Sequence, residues 1–110
     1  MKKFAFSILL MCLSCEVFAS GNVLLNGKQI KTKEELHTAL AKGLNFPKYY
    51  GKNLDALYDV LSTDVSGESI IKVKNVNFLR LKLGTEFVQE FLETIGQASE
   101  ENPRVILLLE

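Results

Sequence analysis

Near the end of the chain, Val105-Ile106-Leu107-Leu108-Leu109 sets five apolar residues in a row with no polar alternation. A strand with one face in water alternates between apolar and polar residues, whereas a strand covered by helices on both faces need not, and such strands belong to parallel sheets. This run therefore predicts a strand buried on both faces and, with it, an α/β domain. The residues before it agree. Thr85 can cap a helix in which Phe87, Val88, Phe91, Leu92, Ile95 and Ala98 share one face while Glu86, Glu90, Glu93 and Gln97 face outward. Pro103 bars that helix from continuing.

Ser69 to Val73 is a β-branched run between Gly67 and Asn75 and reads as another strand. Earlier still, Val23 to Leu25 is a short apolar run ended by Asn26-Gly27, a pair that on local grounds can open a hairpin into Lys28-Gln29-Ile30. The next residues argue against the hairpin. Thr32 and Glu35 have the spacing of a capping box, and Leu36, Ala39 and Leu40 carry a helical period until Gly43 stops it. The first strand is therefore expected to cross directly into a helix. Phe46-Pro47 forces an extended connection, and a second helix is expected from Leu54 to Ser62, with Asn53 as its N-cap and Gly51 supplying the positive φ of a tight turn. Leu79-Arg80-Leu81-Lys82-Leu83 alternates like a half-buried strand. The order strand, helix, helix, strand, helix, strand calls for right-handed crossovers in one α/β domain.

The first nineteen residues have a different character. Lys2-Lys3 precede an uncharged run from Phe4 to Cys15, and Val17-Phe18-Ala19 has the small-residue pattern of a cleavage site, so residues 1–19 read as a secretory signal peptide cut between Ala19 and Ser20. The apolar run falls short of the ~20 residues that a bilayer span requires. A lipoprotein site at Cys15 is the alternative, although Cys12-Leu13-Ser14 before it matches that pattern poorly. Cleavage removes Cys12 and Cys15, the chain's two cysteines, so the mature domain has no disulfide to form. It would hold 91 residues, 11 basic and 12 acidic, a size that suits one compact domain and a net charge of −1 that indicates no particular partner. Lys28, Lys31, Lys33, Lys42, Lys48 and Lys52 are interrupted by Glu34, Glu35 and apolar positions and make no basic stripe, so direct nucleic-acid binding is not expected. His37 is the only histidine, and it has no second histidine or thiol in the mature chain with which to build a metal or nucleophile site; no metal, cofactor or catalytic residue is expected.

The chemistry concentrates in Tyr49-Tyr50-Gly51-Lys52-Asn53-Leu54-Asp55-Ala56-Leu57-Tyr58-Asp59. At helical spacing Leu54, Leu57 and Leu61 form an apolar stripe, Asp55 and Asp59 fall on another stripe about 100° to 140° round from Leu54, and Tyr58 borders both. Asp55 in a first turn is favoured by the helix dipole whether or not it binds anything. Asp59 is harder to explain by the fold, because a like charge four residues away slightly destabilises a helix. An external gain should offset that cost.

This run also carries a resemblance. Asn26-Gly27-Lys28-Gln29-Ile30, then Leu36-His37, then Tyr49-Tyr50-Gly51 with Asn53-Leu54-Asp55-Ala56-Leu57 and Asp59 resemble, in order and spacing, the barstar family of bacterial ribonuclease inhibitors. The resemblance covers residues 23–110, strongest from Val23 to Leu61 and weak between Gly67 and Gly84. It implies a three-stranded parallel sheet covered by about four helices in a single small domain, with a short helical or irregular piece where Leu79 to Leu83 alternates. It implies an activity without chemistry, in which an acidic helix and the loop before it plug the active site of a barnase-like ribonuclease. The residues carried over as nuclease-binding are Tyr49, Gly51, Asn53, Asp55, Tyr58, Asp59, Thr63, Gln97 and Glu101, with Asp59 at the position that occupies a phosphate site of the nuclease. Tyr58 stands where the family usually has tryptophan, Gln97 where an acidic contact is expected, and Lys48 and Lys52 where acidic neighbours are expected.

With the signal peptide, the expected partner is an extracellular or periplasmic ribonuclease held one to one by a monomer, free of the membrane after cleavage. A toxin nuclease of another cell is an alternative partner for the same fold. A small hydrolase using Asp55 and Asp59 as paired carboxylates is disfavoured, because an exposed convex helix has no pocket to exclude water or shift a pKa.

Overall fold

The computed structural model describes residues 19–110. Nearly all of the expected signal peptide thus lies outside the described residues. The elements are β1 (Ala19–Asn26), α1 (Lys33–Gly43), α2 (Leu54–Asp59), a π-helical turn (Val60–Asp64), β2 (Val65–Lys74), α3 (Val76–Leu83), α4 (Thr85–Glu101) and β3 (Val105–Leu109). The three strands make one parallel sheet in the order β1-β2-β3. Gly21 to Asn26 pair in step with Ser69 to Lys74, and Ser69 to Val73 with Val105 to Leu109.

Paired residues of a parallel sheet share a face, so burial shows which face is covered. Leu25, Ser69, Ile71, Val73 and Val105 are buried, whereas Leu24, Lys72 and Leu108 on the other face are exposed. Among the described residues the helices form one layer, and the other face of the sheet is exposed. This corrects the expectation for Val105–Leu109: among the described residues β3 is an edge strand covered on one side, with Leu108 on the other face 42% exposed. The missing alternation places apolar side chains on an open face. Among the described residues it does not reflect a second layer of helices.

The first crossover runs as the capping box suggested. The Thr32 hydroxyl accepts the Glu35 N–H at 3.0 Å, while the Glu35 carboxylate accepts the Lys31 N–H at 2.8 Å, one residue outside the cap. Asn26-Gly27 opens no hairpin, since the N–H groups of Gln29 and Ile30 both turn back to the Asn26 carbonyl and the chain proceeds into α1. That helix ends at Gly43 for a reason other than the one the sequence suggested. Asn45, with φ 57°, takes the left-handed position, and Phe46 N–H reaches back to the Ala41 carbonyl, a Schellman closure. Gly43 is small because a β-carbon there would stand 2.6 Å from the Val23 side chain, where α1 crosses β1.

Leu79 to Leu83 is helical, which resolves the alternation: α3 buries Leu79 and Leu83 one turn apart and leaves Leu81 83% exposed. Gly84, at φ 98°, ends α3 and begins α4, so Thr85 is the first helical residue and not the cap. In α4 Val88, Phe91, Ile95 and Ala98 are buried, with Phe87 and Leu92 at the margin, as the periodicity predicted. Phe91 joins Leu25, Leu36, Leu57, Leu61 and Ile71 in one core. Among the described residues, no helix is long and apolar enough to cross a membrane.

Candidate functional site

The loop between α1 and α2 is pinned from below by three buried side chains, Leu44, Phe46 and Tyr50. Phe46 and Tyr50 meet edge to face at 4.9 Å, and the Tyr50 hydroxyl shares a 2.5 Å hydrogen bond with Nδ1 of the buried His37 on α1. Tyr50 N–H closes a turn onto the Pro47 carbonyl, and that turn lifts Tyr49 to the surface, 76% exposed. Two adjacent tyrosines thus divide the work, one anchoring the loop and one presented by it.

His37 has the structural role expected of it. Burial, and then the nearby charge of Lys52, push its pKa below the ordinary 6.5, and burial pushes that of Tyr50 above the ordinary 10. Both groups are therefore held neutral. The stability that His37 contributes is fully present above pH 6.5 and is lost as the pH falls below it, because the unfolded chain takes up the proton more readily. For Tyr50 the contribution is present below pH 10 and declines above it. Urea unfolding at pH 7.5 and pH 5 should show this acid-side loss in the native protein and a smaller one in His37→Gln, whose amide can bond Tyr50 but does not titrate in this range; an unchanged loss would place the acid sensitivity elsewhere.

Asn53 caps α2 as the sequence predicted, its Oδ1 accepting the Ala56 N–H at 2.8 Å. The positive φ before it belongs to Lys52, at 58°, and not to Gly51. A β-carbon on Gly51 would come within 3.3 Å of the Asn53 amide nitrogen and 3.4 Å of the Ala56 β-carbon, a close fit against the cap that a few tenths of an ångström of side-chain movement would relieve. From there Leu57 and Leu61 point into the core, Tyr58 is half-buried, and Asp55 and Asp59 are exposed.

The helix expected to reach Ser62 stops being α-helical after Asp59. The Ser62 hydroxyl bonds the Tyr58 carbonyl at 2.7 Å and the Thr63 hydroxyl bonds the Asp59 carbonyl at 2.5 Å, bonds that compete with the backbone ladder. The wider π turn that follows lets the adjacent Val60 and Leu61 both be buried. Asn102, just past α4, donates from its side chain to the Leu61 carbonyl at 3.1 Å and accepts the Arg104 N–H. It fastens the π turn to the end of α4, which packs against both α2 and that turn. The sequence reading missed Asn102; its position between the end of α4 and Pro103 reads locally as a helix stop, and its long-range partner has no local signature.

The structure therefore brings Tyr49, Gly51, Asn53, Asp55, Tyr58, Asp59 and Thr63 into one continuous loop-and-helix segment. Gln97 and Glu101 lie on the exposed side of the neighbouring α4. Among the described residues, no group of three or more histidine, cysteine or carboxylate side chains is arranged to hold a metal ion.

Residues 21–109, which include every strand pairing from Gly21 onward and all of the loop-and-helix surface, match the family described as Barstar (barnase inhibitor). The chain belongs to the barstar family. A relative from Bacillus subtilis (strain 168), named "Putative ribonuclease inhibitor YrdF", is 38% identical over 79 residues, which are 72% of this chain and 86% of that protein. In barstar-family terms, the three-stranded parallel sheet with four helices is the fold that the resemblance implied.

Proposed function

We propose that this protein is an exported inhibitor that binds a barnase-like ribonuclease and blocks its active site with α2 and the loop before it. The observation that carries the reading is the pairing of Asp55 and Asp59, exposed on one strip of a helix whose other side is locked into the core, directly after the exposed Tyr49. A rigid convex surface of this kind loses little freedom on binding and meets a basic cleft with complementary charge. Tyrosine offers stiff contact area with a polar tip. Membership of the barstar family supports a ribonuclease as the partner.

Export is supported by Lys2-Lys3, the uncharged run and Ala19, and cleavage before Ser20 would leave the paired segment Gly21–Asn26 whole. Periplasm or medium is the expected destination, and the inhibitor would act there as a monomer in a 1:1 complex without turning anything over. Defence against nucleases met outside the cell follows as its purpose.

One preparation tests these statements together. Protein recovered from the cell envelope and medium should begin at Ser20 and should titrate the activity of a barnase-like ribonuclease to zero at one equivalent. It should hydrolyse neither RNA nor ester substrates alone. Intact Met1 on cytosolic protein would overturn export, a lipid on Cys15 would replace it with anchoring, and turnover abolished by Asp55→Asn would overturn inhibition.

A further inference from the structure

We propose that Lys48 and Lys52 select the partner, requiring a ribonuclease that carries carboxylates beside its basic cleft. The inference rests on the inhibitor reading and names the kind of enzyme that this surface fits. The two lysines flank the exposed Tyr49 and the turn around it, and both are exposed. They line, with Lys42, a groove of about 490 Å³ floored by Phe46, Pro47 and Tyr50, and among the described residues no aspartate or glutamate lines it. The described ion pair of the chain, Lys72 with Glu110, lies on the sheet and involves none of them.

Lys42 has a local explanation, because it sits in the last turn of α1 where a cation complements the helix dipole. The other two do not. Lys52 adopts φ 58°, a conformation that asparagine and glycine accept far more readily than a long side chain. Its charge helps to keep the buried His37 unprotonated and gains no partner in doing so. The backbone alone would favour glycine or asparagine there, so the cation stands at this position against a backbone cost. The loop that carries it is fixed by Phe46, Tyr50 and the cap of Asn53, so the charges are presented and not left to wander.

Immediately beyond Lys52 come Asp55 and Asp59. The binding surface is thus dipolar, cationic over the loop and anionic along α2. A partner whose face is uniformly basic would meet repulsion from the loop half. One with acidic side chains opposite the loop and a basic cleft opposite α2 matches both halves, and like-charge mismatch is an effective way to exclude wrong partners.

The test uses the full mature protein and two barnase-like ribonucleases, one with carboxylates on the rim of its active-site cleft and the same enzyme with those carboxylates changed to lysine. Association with the acidic-rim enzyme should be the faster at low salt, by roughly tenfold. Lys48→Glu with Lys52→Glu should reverse that order, and Lys→Arg at both positions should preserve it. Lys52→Asn separates function from folding, since it should raise stability by relieving the backbone yet slow association with the acidic-rim enzyme. Equal rates for the two enzymes, or no change on charge reversal, would overturn the selection by these lysines while leaving the inhibitor reading intact if Asp59→Ala still weakens binding. Failure of the native protein to bind either enzyme would overturn both.

Discussion

Asp59→Ala will raise the Kd for a barnase-like ribonuclease by about 30-fold or more, the equivalent of at least ~2 kcal/mol, while leaving the fold as stable as before. Charged hot spots of this kind are known from barnase and its inhibitor themselves, so the size is borrowed from the family. The separation of binding from folding comes from this structure. Asp59 is exposed, and Ser62 and Thr63 both donate to its backbone carbonyl, a contact that truncating the side chain leaves in place. Asp59 also closes α2, where a negative charge faces the negative end of the helix dipole, so its removal should stabilise the free protein by a few tenths of a kcal/mol if it does anything. If α2 enters a basic cleft as proposed, the same truncation would leave nuclease cations buried and unpaired. Asp55→Ala and Tyr49→Ala should cost less, and Glu93→Ala, on the exposed side of α4, almost nothing. Added salt should slow association more than it speeds dissociation, because opposite fields act on the encounter. Binding rates at low and high salt, with denaturant unfolding of each variant beside them, decide the matter. Equal and small effects for Asp59 and Glu93 would mean that the acidic strip is only a solvated face.

The positions of these charges were legible in the sequence because a helix period is local. Asn53 as cap, Leu57 and Leu61 inward, Asp55 and Asp59 outward and Tyr58 between all follow from spacing, and the structure agrees at each. The capping box of α1 and the apolar face of α4 were legible for the same reason. What failed was set by distant partners. Val105 to Leu109 reads the same whether one face or two are covered, since an open face can carry leucines as readily as a closed one. Leu79 to Leu83 satisfies both a period of two and a pair one turn apart, and only the burial of Leu79 and Leu83 together selects the helix. The break after Asp59 depends on hydroxyls reaching back and on Asn102 fixing the Leu61 carbonyl across the fold. The positive φ expected of Gly51 is taken by Lys52, and the stop expected at Gly43 is made by Asn45 in the left-handed conformation. Glycine marks two different needs, rotation and room, and sequence alone does not distinguish them.

Gly27→Ala should therefore be among the most damaging single-methyl changes available, at about 3 kcal/mol, the upper part of the usual range for overpacking. Its φ is not the reason, for Gly27 is absent from the positive-φ residues. A β-carbon at this position would stand 2.1 Å from the Asn75 carbonyl oxygen and 2.9 Å from the Leu79 nitrogen, both backbone atoms at the start of α3. No rotamer can relieve a collision with backbone. The alternatives are to push α3 away, losing the Lys82 ammonium bonds to the Gly27 and Lys28 carbonyls, or to open the 2.8 Å bond from Gly27 N–H to the Lys74 carbonyl at the end of the sheet. Gly96→Ala supplies the control. It makes the same chemical change in the middle of α4, where the added carbon meets nothing within 4 Å, so it should stabilise by up to about 1 kcal/mol from helix propensity alone. The two variants should separate in thermal unfolding by roughly 15 °C or more for a domain of this size. Near-equal melting temperatures would show that α3 yields to the methyl group, and that the close approach of β1 and α3 is not what requires glycine after Asn26.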